Sequence, residues 1–430
     1  MAVAARKLED AAILLDAHPA PEGEAGWARS IRGKAEALFR EHGAPSRRDE
    51  YWKYTDPAAL VVQPATAASV LEIDDQERPF HNVDRLNIVF VDGVFEPELS
   101  DPLELAGVDI QPISAAVRAD IHWARDVFGA LEGAGQSPVI RPMAALNTAR
   151  ATEGFAIRAY GQPSKPICFT YLRKADAAEG LVHHVVRVES GCALTLLEAG
   201  PGGARLNTVM EVDVASGAEA HHVRAQGRDH ERHAWTGLFA RLGEESVLKS
   251  FTLTKNGRLT RNEYVVELLG DNATAHVAGA SLGDGDFRHD DTVFVTHDAV
   301  NCESRQVFKK VLRQAAQGIF QGKILVKPGA QKTDGYQISQ GLLLDDDSQF
   351  LAKPELEIYA DDVACSHGST SGAVDDTALF YLRSRGLQRP EAEELLVLAF
   401  VDEAIMEIED TDLADEVRAR LAAWLGRHRR

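Results

Sequence analysis

From about residue 161 the sequence repeats short stretches in which apolar and polar residues alternate, each behind a turn-forming residue. The turn positions that we take as equivalent are Gly191, Gly217, Glu245, Asn272 and Asp298. Their spacings are 26, 28, 27 and 26 residues. A sustained period of this length is typical of a solenoid, in which each repeat buries its apolar face only against its neighbours. Because the alternation has a period of two, the repeats are predicted to be strands and the solenoid a β-helix.

The repeat also bears on an alternative fold and on the length of the later coils. The hairpins of a large antiparallel β-sandwich also give evenly spaced turns, so periodicity alone does not exclude that fold. Further along the chain, the turn residues follow one another more closely, at 317–318, 328–329, 345–347 and 361–362. This spacing predicts that the coils shorten towards the C-terminal end.

The chain is predicted to have three regions. Residues 1–140 form a mostly helical region with a small β-hairpin, residues 141–372 form the β-helix core, and residues 373–430 form a C-terminal helical region. Amphipathic helices are expected over 4–17 and 27–42, where apolar residues recur with helical spacing.

Two further elements are expected in the N-terminal region. The stretch Leu86–Phe95 predicts a hairpin with Asp92 and Gly93 at its tip. Ser114 is predicted to cap a helix that runs towards Leu131.

The C-terminal region is predicted to contain helices over 378–385, 391–408 and 413–425. Residues 395–401 are apolar on every face of the second helix. Such a helix is either fully buried or has a second apolar face for another protein. The positions predicted to be buried or to face a partner are Phe380, Tyr381, Leu395, Leu398 and Ile405.

Charge and composition argue against several classes of function. The chain has 46 Lys and Arg residues against 66 Asp and Glu residues, for a formal net charge of −20, and no long basic run. This balance argues against nucleic acid and anionic membranes as partners. No stretch approaches the roughly 18 consecutive apolar residues of a membrane-spanning helix, and the start of the chain lacks the apolar core of a signal peptide. A cytoplasmic protein is therefore expected.

The cysteines of the chain are Cys168, Cys192, Cys302 and Cys365, and no two of them form a Cys-x-x-Cys pair. A disulfide framework and a self-contained site with four thiolates are therefore disfavoured. Cys168 and Cys192 lie in apolar stretches and are expected to fill core space. Cys302 is a weak candidate for a metal ligand.

The most specific motif is the stretch PELEIYADDVACSHGSTSGAVDDTALFYLRSR at residues 354–385. Within it Cys365 and His367 are two positions apart, so in an extended segment both side chains leave the same face. A thiolate beside an imidazole is a soft ligand pair that suits iron–sulfur species, copper or zinc. A buried cysteine and a turn-forming histidine are the ordinary alternative. Two donors do not complete a metal site, so further ligands must come from elsewhere in the chain or from a partner.

The stretch ELEIYADDVACSHGSTSG, followed by ALFYLRSRG, closely resembles the SufB/SufD family, which takes part in iron–sulfur cluster assembly. Weaker similarity extends to residues 322–324, 331–337 and 51–55. The resemblance implies a right-handed parallel β-helix, helical regions at both ends, and C-terminal helices that hold an ATPase partner, SufC. It also implies that His367 is an assembly-site histidine, with Cys365 in the same motif.

Two departures from the family pattern favour its SufD arm over its SufB arm. SufB has a thiolate where this chain has Ile338, and acidic residues beside the histidine where this chain has Ser366 and Gly368. The resemblance therefore implies that the essential thiol comes from SufB across an interface. It implies a non-enzymatic scaffold subunit that forms a heterodimer with SufB and shares a transient iron–sulfur cluster at that interface, with none bound tightly by this chain alone. Whether the chain forms a homodimer when alone is left open.

An enzyme is the alternative function. Paired carboxylates on a β-helix could serve a carbohydrate lyase or hydrolase, and here carboxylates cluster at Asp361, Asp362 and residues 345–347. Turns rich in aspartate are the ordinary structural explanation. No phosphate-binding loop is present in the sequence, because the Gly-Lys pair at 322–323 is followed by Ile324 rather than Ser or Thr. An ATP-driven step would therefore belong to another subunit.

Overall fold

The computed structural model of the chain describes residues 2–70, 78–134, 136, 139–227 and 229–427. The helices are α1 (Ala2–Ala17), α2 (Gly26–His42), α3 (Ala58–Val61), α4 (Ile113–Ala116), α5 (Pro142–Arg150), α6 (Asp376–Ser384), α7 (Arg389–Ile405) and α8 (Thr411–Arg427). The strands before residue 230 are β1 (Leu86–Val91), β2 (Val94–Phe95), β3 (Val108–Pro112), β4 (Phe155–Ala159), β5 (Ile167–Leu172), β6 (Glu179–Val188), β7 (Ala193–Ala199), β8 (Arg205–Val214) and β9 (Glu219–Gln226). The later strands are β10 (His233–Leu242), β11 (Val247–Lys255), β12 (Leu259–Leu268), β13 (Thr274–Asp284), β14 (Arg288–His297), β15 (Glu303–Arg313), β16 (Gln317–Val326), β17 (Asp334–Leu343), β18 (Gln349–Ile358) and β19 (Ala364–Gly372).

From β4 onwards the strands alternate between two sheets. The ten-stranded sheet has the order β19-β17-β15-β13-β11-β9-β7-β5-β1-β2, and the nine-stranded sheet has the order β18-β16-β14-β12-β10-β8-β6-β4-β3. Each strand pairs in parallel with the strand one coil away, as β10 does with β8 and β12. The fold is therefore a mainly β, parallel solenoid with helical regions at both ends, and this prediction is confirmed.

The alternative of an antiparallel β-sandwich predicts the wrong strand direction, although it correctly predicts two sheets packed face to face. The two sheets face each other across a shared apolar interior. Neighbours within each sheet are nevertheless two strands apart in the chain and run parallel, which a meander of hairpins cannot produce. Regular turn spacing therefore indicates two packed sheets, and only the direction of the strands distinguishes a parallel solenoid from an antiparallel sandwich.

A residue with a left-handed backbone lies two positions before most strands of the ten-stranded sheet. Gly191, Gly217, Glu245 and Asn272, with φ of 71°, 67°, 53° and 62°, precede β7, β9, β11 and β13 in this way. Glycine and asparagine adopt this conformation most readily, which is why the turns can be recognised in the sequence. These four predicted turn positions are therefore correct, and so are the intervals between them, because the strand register pairs the residues that follow each turn.

The fifth turn position and the predicted shortening of the coils are wrong. The equivalent residue is Asn301, with φ of 59°, and not Asp298. Asn301 lies 29 residues after Asn272, the turn residue one coil earlier. The next coil has 31 residues and the one after it has 30 residues, measured between paired side chains of β15, β17 and β19. The later coils are longer because β13 and β15 have 11 residues each, whereas β7 and β9 have 7 and 8.

Apolar side chains are buried in three layers. One layer lies between the two sheets. The N-terminal region covers the outer face of the nine-stranded sheet, where Trp52 and Phe128 belong to the same buried cluster as Trp235. Helices α7 and α8 cover the outer face of the ten-stranded sheet, where Val401 belongs to the same cluster as Phe251. The two helical regions therefore lie on opposite faces of the solenoid.

The first two helices and the hairpin of the N-terminal region are confirmed. Helices α1 and α2 cover the predicted ranges. Strands β1 and β2 are antiparallel, with Val91 opposite Val94 and with Asp92 and Gly93 between them at φ of 53° and 85°. Because β1 also pairs in parallel with β5, the hairpin extends the ten-stranded sheet.

The helix predicted from Ser114 to Leu131 is wrong. Helix α4 ends at Ala116, and Ser114 lies inside it rather than at its cap. The chain turns at Gly129, where φ is 64°. The buried carboxylate of Glu211 accepts the backbone N–H groups of Gly129 and Leu131 at 2.6 and 2.7 Å. These bonds replace the helical ones that the sequence pattern predicts.

The three C-terminal helices are confirmed as α6, α7 and α8. The Asp375 carboxylate caps α6 by accepting the backbone N–H groups of Thr377 and Ala378 at 2.8 and 3.2 Å. Pro390 lies in the first turn of α7, where its missing N–H group costs no hydrogen bond. Among the described residues, no helix is both long enough and apolar enough to cross a bilayer.

Candidate functional site

Cys365 and His367 lie on β19, the outermost strand of the ten-stranded sheet. Strand β19 runs parallel to β17, and the register places Cys365 beside Gly335 and His367 beside Gln337. Gln337 is fully buried, and paired residues of neighbouring strands share one face of a sheet. The structure therefore places both side chains on the inner face of β19, at the end of the solenoid.

The surroundings of the two side chains differ. Cys365 is half-buried and packs with Ile324, Leu356 and Val363, whereas His367 is exposed. Burial raises the pKa of the Cys365 thiol, and the Asp334 carboxylate adds to this effect. Since the thiolate is the form that binds metal, the thiol of Cys365 is a poor ligand at neutral pH unless a metal displaces its proton.

Ile338 lies on the other side of the sheet from His367. It is one position from Gln337 on β17, and it packs from the outer face against the cluster beneath α7 and α8. The structure therefore does not bring Ile338 together with Cys365 and His367. Within the part of the chain that the structure describes, no group of three or more His, Cys, Asp or Glu side chains could hold a metal ion.

A row of polar side chains continues from His367 into the interior of the solenoid. Gln306, Gln337 and His367 are neighbours across β15, β17 and β19. Gln337 Nε2 donates to Gln306 Oε1 at 2.6 Å, and both side chains are fully buried. In the next row Ser339 Oγ donates to Ser369 Oγ at 3.0 Å. Sequence reasoning missed Gln306 and Gln337, because 31 residues separate them and only the strand register brings them together.

The other cysteines are parts of the core. Cys302 is 1% exposed, and its Sγ donates to the carbonyl oxygen of Gly270 at 3.3 Å. Burial raises the pKa of its thiol. It lies just before β15, two strands away from β19, so the structure does not bring it to Cys365 and His367. Cys168 and Cys192 are buried, as predicted.

Asp345 and Asp362, two aspartates of the alternative enzyme function, form hydrogen bonds within a turn or between turns of neighbouring coils. The Asp345 carboxylate accepts the backbone N–H groups of Asp347 and Ser348 at 3.2 and 2.9 Å. Burial opposes ionisation of Asp345, but these bonds and one from Gln314 outweigh it and lower the pKa of this carboxyl. The backbone N–H of Asp362 donates to Gln331 Oε1 at 3.0 Å. These contacts match the structural explanation that the sequence favours.

The predicted partner-facing positions divide into exposed and buried ones. Phe380 and Tyr381 on α6 are 73% and 56% exposed, and Leu395 on α7 is 45% exposed. Leu398 is half-buried against the cluster beneath the helices, and Ile405 is fully buried in it. The exposed apolar surface is therefore formed by α6 and the first half of α7.

Comparison with known proteins defines the class to which this fold and site belong. A family model described as "SUF system FeS cluster assembly, SufBD core domain" matches residues 171–400, which is more than half of the chain. The matched region contains β6 to β19, and with them Cys365 and His367. The class is therefore that of the iron–sulfur cluster assembly proteins.

Two SufD proteins are among the relatives that are similar to this chain over most of its length. The iron–sulfur cluster assembly protein SufD of Escherichia coli is 28% identical over 397 residues, which cover 89% of this chain and 90% of that protein. The iron–sulfur cluster assembly protein SufD of Bacillus subtilis is 22% identical over 402 residues, which cover 90% and 91%. The chain belongs to the SufB/SufD family and is a SufD-type member of it.

Proposed function

We propose that this chain is a scaffold subunit of a cytoplasmic complex that builds iron–sulfur clusters, with His367 as a ligand of the nascent cluster. In this complex a SufB-type subunit supplies thiolates, and a SufC-type ATPase binds the C-terminal helices. The observation that carries the proposal is the exposed imidazole of His367 on the inner face of the last strand. The cluster is the product of the complex, so this chain holds it only until it is transferred.

The outer edges of β18 and β19 support a partner at this end of the solenoid. No strand lies beyond either of them among the residues that the structure describes, and none of their residues is buried. Strand edges with unpaired N–H and C=O groups pair with strands of another chain unless something covers them. A SufB-type solenoid that ends in the same way would extend both sheets. A second copy of this chain is the alternative occupant when the partner is absent.

The number of donors supports shared ligation. Iron–sulfur clusters usually take four protein ligands, and Cys365 and His367 supply two at most. The raised pKa of the Cys365 thiol makes it the weaker of the two. His367 is therefore the main ligand from this chain, and cysteines of the partner complete the site. Weak, divided ligation allows the finished cluster to leave.

The exposed apolar surface of α6 and α7 supports a separate docking site for the ATPase. Phe380, Tyr381 and Leu395 lie on this surface, and large exposed apolar residues that cluster are typical of protein interfaces. Ile405 and Leu398 anchor α7 on the sheet beneath and so hold the surface in place.

The test is His367→Ala in the complex co-expressed with SufB and SufC and reconstituted anaerobically. We expect the subunits to co-purify as in the wild type, while iron and acid-labile sulfide per complex and the visible absorbance of the cluster fall several-fold. Cys365→Ala should lower these quantities less. The matched control is Ser366→Ala, because Ser366 lies between the two ligands with its side chain on the opposite face. If His367→Ala gives the wild-type yield, His367 is not the ligand.

A further inference from the structure

Residues 50–55, the stretch Glu-Tyr-Trp-Lys-Tyr-Thr, form a brace across the outer face of the nine-stranded sheet. Trp52 is 4% exposed, and the guanidinium of Arg261 on β12 lies over its ring at 4.1 Å from the centroid. The Thr55 hydroxyl donates to the carboxylate of Asp290 on β14. Arg261 also donates to Asp290 at 2.5 Å. A buried ion pair therefore fixes the second half of the brace to β12 and β14.

Tyr51 joins three strands at the centre of the brace. Its carbonyl oxygen accepts hydrogen bonds from Arg261 of β12 at 2.8 Å and from Gln321 of β16 at 2.9 Å. Its ring packs edge-to-face on Phe294 of β14, with the centroids 4.8 Å apart. These contacts hold the backbone and the ring of Tyr51 in one orientation, with the hydroxyl directed towards β18.

The first half of the brace reaches β18, the edge strand. The Tyr51 hydroxyl donates to Glu355 Oε2 at 3.1 Å. Burial and the neighbouring Glu355 carboxylate raise the pKa of this hydroxyl, so it keeps the proton that it donates. Lys353 Nζ lies over the Tyr51 ring at 4.4 Å from the centroid and donates to Glu50 Oε1 at 3.0 Å. The brace therefore holds Lys353 and Glu355, two residues of β18 whose side chains face outwards.

The contacts of β18 link the brace to the assembly strand. Strand β18 pairs with β16 on one side only among the described residues, so its other edge lacks the support that an inner strand has. Leu356 follows Glu355 in the chain and faces inwards, where it packs in the same small cluster as Cys365 of β19. The brace therefore holds one face of β18, and the other face of β18 packs against the strand that carries Cys365 and His367.

We infer that this brace positions the terminal coil, and that Tyr51 is a positioning residue for the assembly site. Tyr51 acts through Glu355 and Lys353, which fix β18, and β18 in turn fixes β19 and the direction of His367. The effect on the terminal coil is a property of this chain alone. The effect on cluster assembly rests on the proposed function.

The first test is amide hydrogen exchange on the isolated chain with Tyr51→Ala. We expect the amides of β18 and β19 to exchange about tenfold faster or more, because a cation–π contact and a hydrogen bond to a charged group are both lost. The amides of β8 and β10 should keep their wild-type rates. The matched control is Tyr54→Ala, since Tyr54 lies in the same segment and contacts Lys53; this variant should exchange like the wild type. Wild-type exchange of β18 and β19 in Tyr51→Ala would overturn the inference.

Two more conservative variants test the inference if Tyr51→Ala does not fold. Tyr51→Phe removes the hydrogen bond between the two residues and Glu355→Gln weakens it, and both variants leave the ring of residue 51 on Phe294. Faster exchange confined to β18 and β19 is expected, with a smaller increase than for Tyr51→Ala. Unchanged exchange in both variants would show that the brace does not hold β18 through Glu355.

The second test measures cluster yield in the complex with SufB and SufC. Tyr51→Ala should lower the yield, and Tyr51→Phe should restore most of it, since the phenyl ring keeps the contacts with Phe294 and Lys353. Faster exchange combined with a wild-type yield would overturn the positioning role while leaving the brace itself intact. If His367→Ala also gives a wild-type yield, the proposed function fails, and the exchange result still decides whether the brace exists.

Discussion

The two ends of the solenoid are built differently. At the N-terminal end each sheet finishes in an antiparallel strand, β2 on β1 and β3 on β4. Aromatic rings fill the interior there: Phe155 packs on Phe95 and Phe90 with centroids 4.9 and 5.9 Å apart. At the C-terminal end β18 and β19 are edge strands, and the inner face of β19 carries a thiol, an imidazole and serine hydroxyls.

This difference shows which end the chain closes by itself. A solenoid needs a cap at each end, because the last coil has a neighbour on one side only. At the N-terminal end the chain supplies this cap itself. The cap consists of the antiparallel strands β2 and β3 and of the packed rings of Phe90, Phe95 and Phe155, which we call the aromatic plug. At the C-terminal end the last strand, β19, has polar and small residues in its interior positions and no strand beyond it among the described residues, which fits the partner that we propose for this end. The candidate site lies at the end that the chain leaves open.

The largest expected effect on stability is at the closed end, which is the N-terminal end of the solenoid. Phe155→Ala should lower the free energy of unfolding by about 3–5 kcal/mol, because it leaves a cavity among buried rings. Phe350→Ala is the matched variant at the open end, where the ring is half-buried, and it should cost roughly 1–2 kcal/mol. Urea denaturation of the isolated chain measures both. Equal losses would mean that the two ends are packed equally well.

A pH-dependent effect is also expected at the closed end. His184 is stacked on Phe169 with centroids 3.9 Å apart, and burial lowers its pKa from 6.5 to about 3, although Glu198 opposes the shift. Below pH 6.5 the unfolded chain gains a proton at this position while the folded chain does not. The contribution of neutral, buried His184 to the free energy of unfolding is therefore complete above pH 6.5 and is lost as the pH falls towards 3.

His184→Gln should remove this source of acid sensitivity. Between pH 6.5 and 4.5 the variant should lose about 2–3 kcal/mol less of its free energy of unfolding than the wild type does. The control is Tyr171→Phe, which removes the hydroxyl that lies 3.0 Å from His184 Nε2 and keeps the imidazole. It should be less stable at both pH values and keep the wild-type pH slope. Parallel pH curves for His184→Gln and the wild type would contradict the prediction.

The smallest effect on stability is expected beyond the open end, on α6. Phe380 is 73% exposed, so Phe380→Ser should change the free energy of unfolding by less than about 0.5 kcal/mol. The same variant should abolish co-purification of the SufC-type ATPase, because the proposed docking surface loses its most exposed aromatic residue. Met406→Ser is the control, since Met406 is 64% exposed at the far end of α7. Normal ATPase recovery with Phe380→Ser would place the dock elsewhere.

The coil turns were predictable wherever the backbone restricts the residue type. Gly191, Gly217 and Asn272 have positive φ, which few other residues adopt without strain. The prediction fails at the next coil, because Asp298 is as good a turn former as Asn301, three positions away. Only the pairing of β13 with β15 distinguishes them. The lengthening of the coils has the same cause, since strand length depends on pairing as well as on sequence.

The candidate site was predictable only in part. The spacing of Cys365 and His367 determines that they share a face of an extended strand. The neighbours Gln306 and Gln337, and the contacts of Tyr51 with β18, depend on which strands pair and in what register. A polar residue in the interior looks like a surface residue in a single sequence, because its hydrogen-bond partner lies a full coil away.

The variation in coil length has a consequence for how the protein responds to a mechanical pull at its C-terminus. Once the C-terminal helices detach, β19 is released first and the coils follow one at a time, since each coil is held only by its neighbours. The last three coils have 30, 31 and 29 residues, whereas the two coils between β7 and β11 have 28 and 26 residues. At about 3.5 Å per residue, each release lengthens the chain by roughly 90–110 Å. The extension steps in a single-molecule trace are therefore longer for the last three coils than for the coils between β7 and β11, and they lengthen again at the coil between β5 and β7, which has 29 residues.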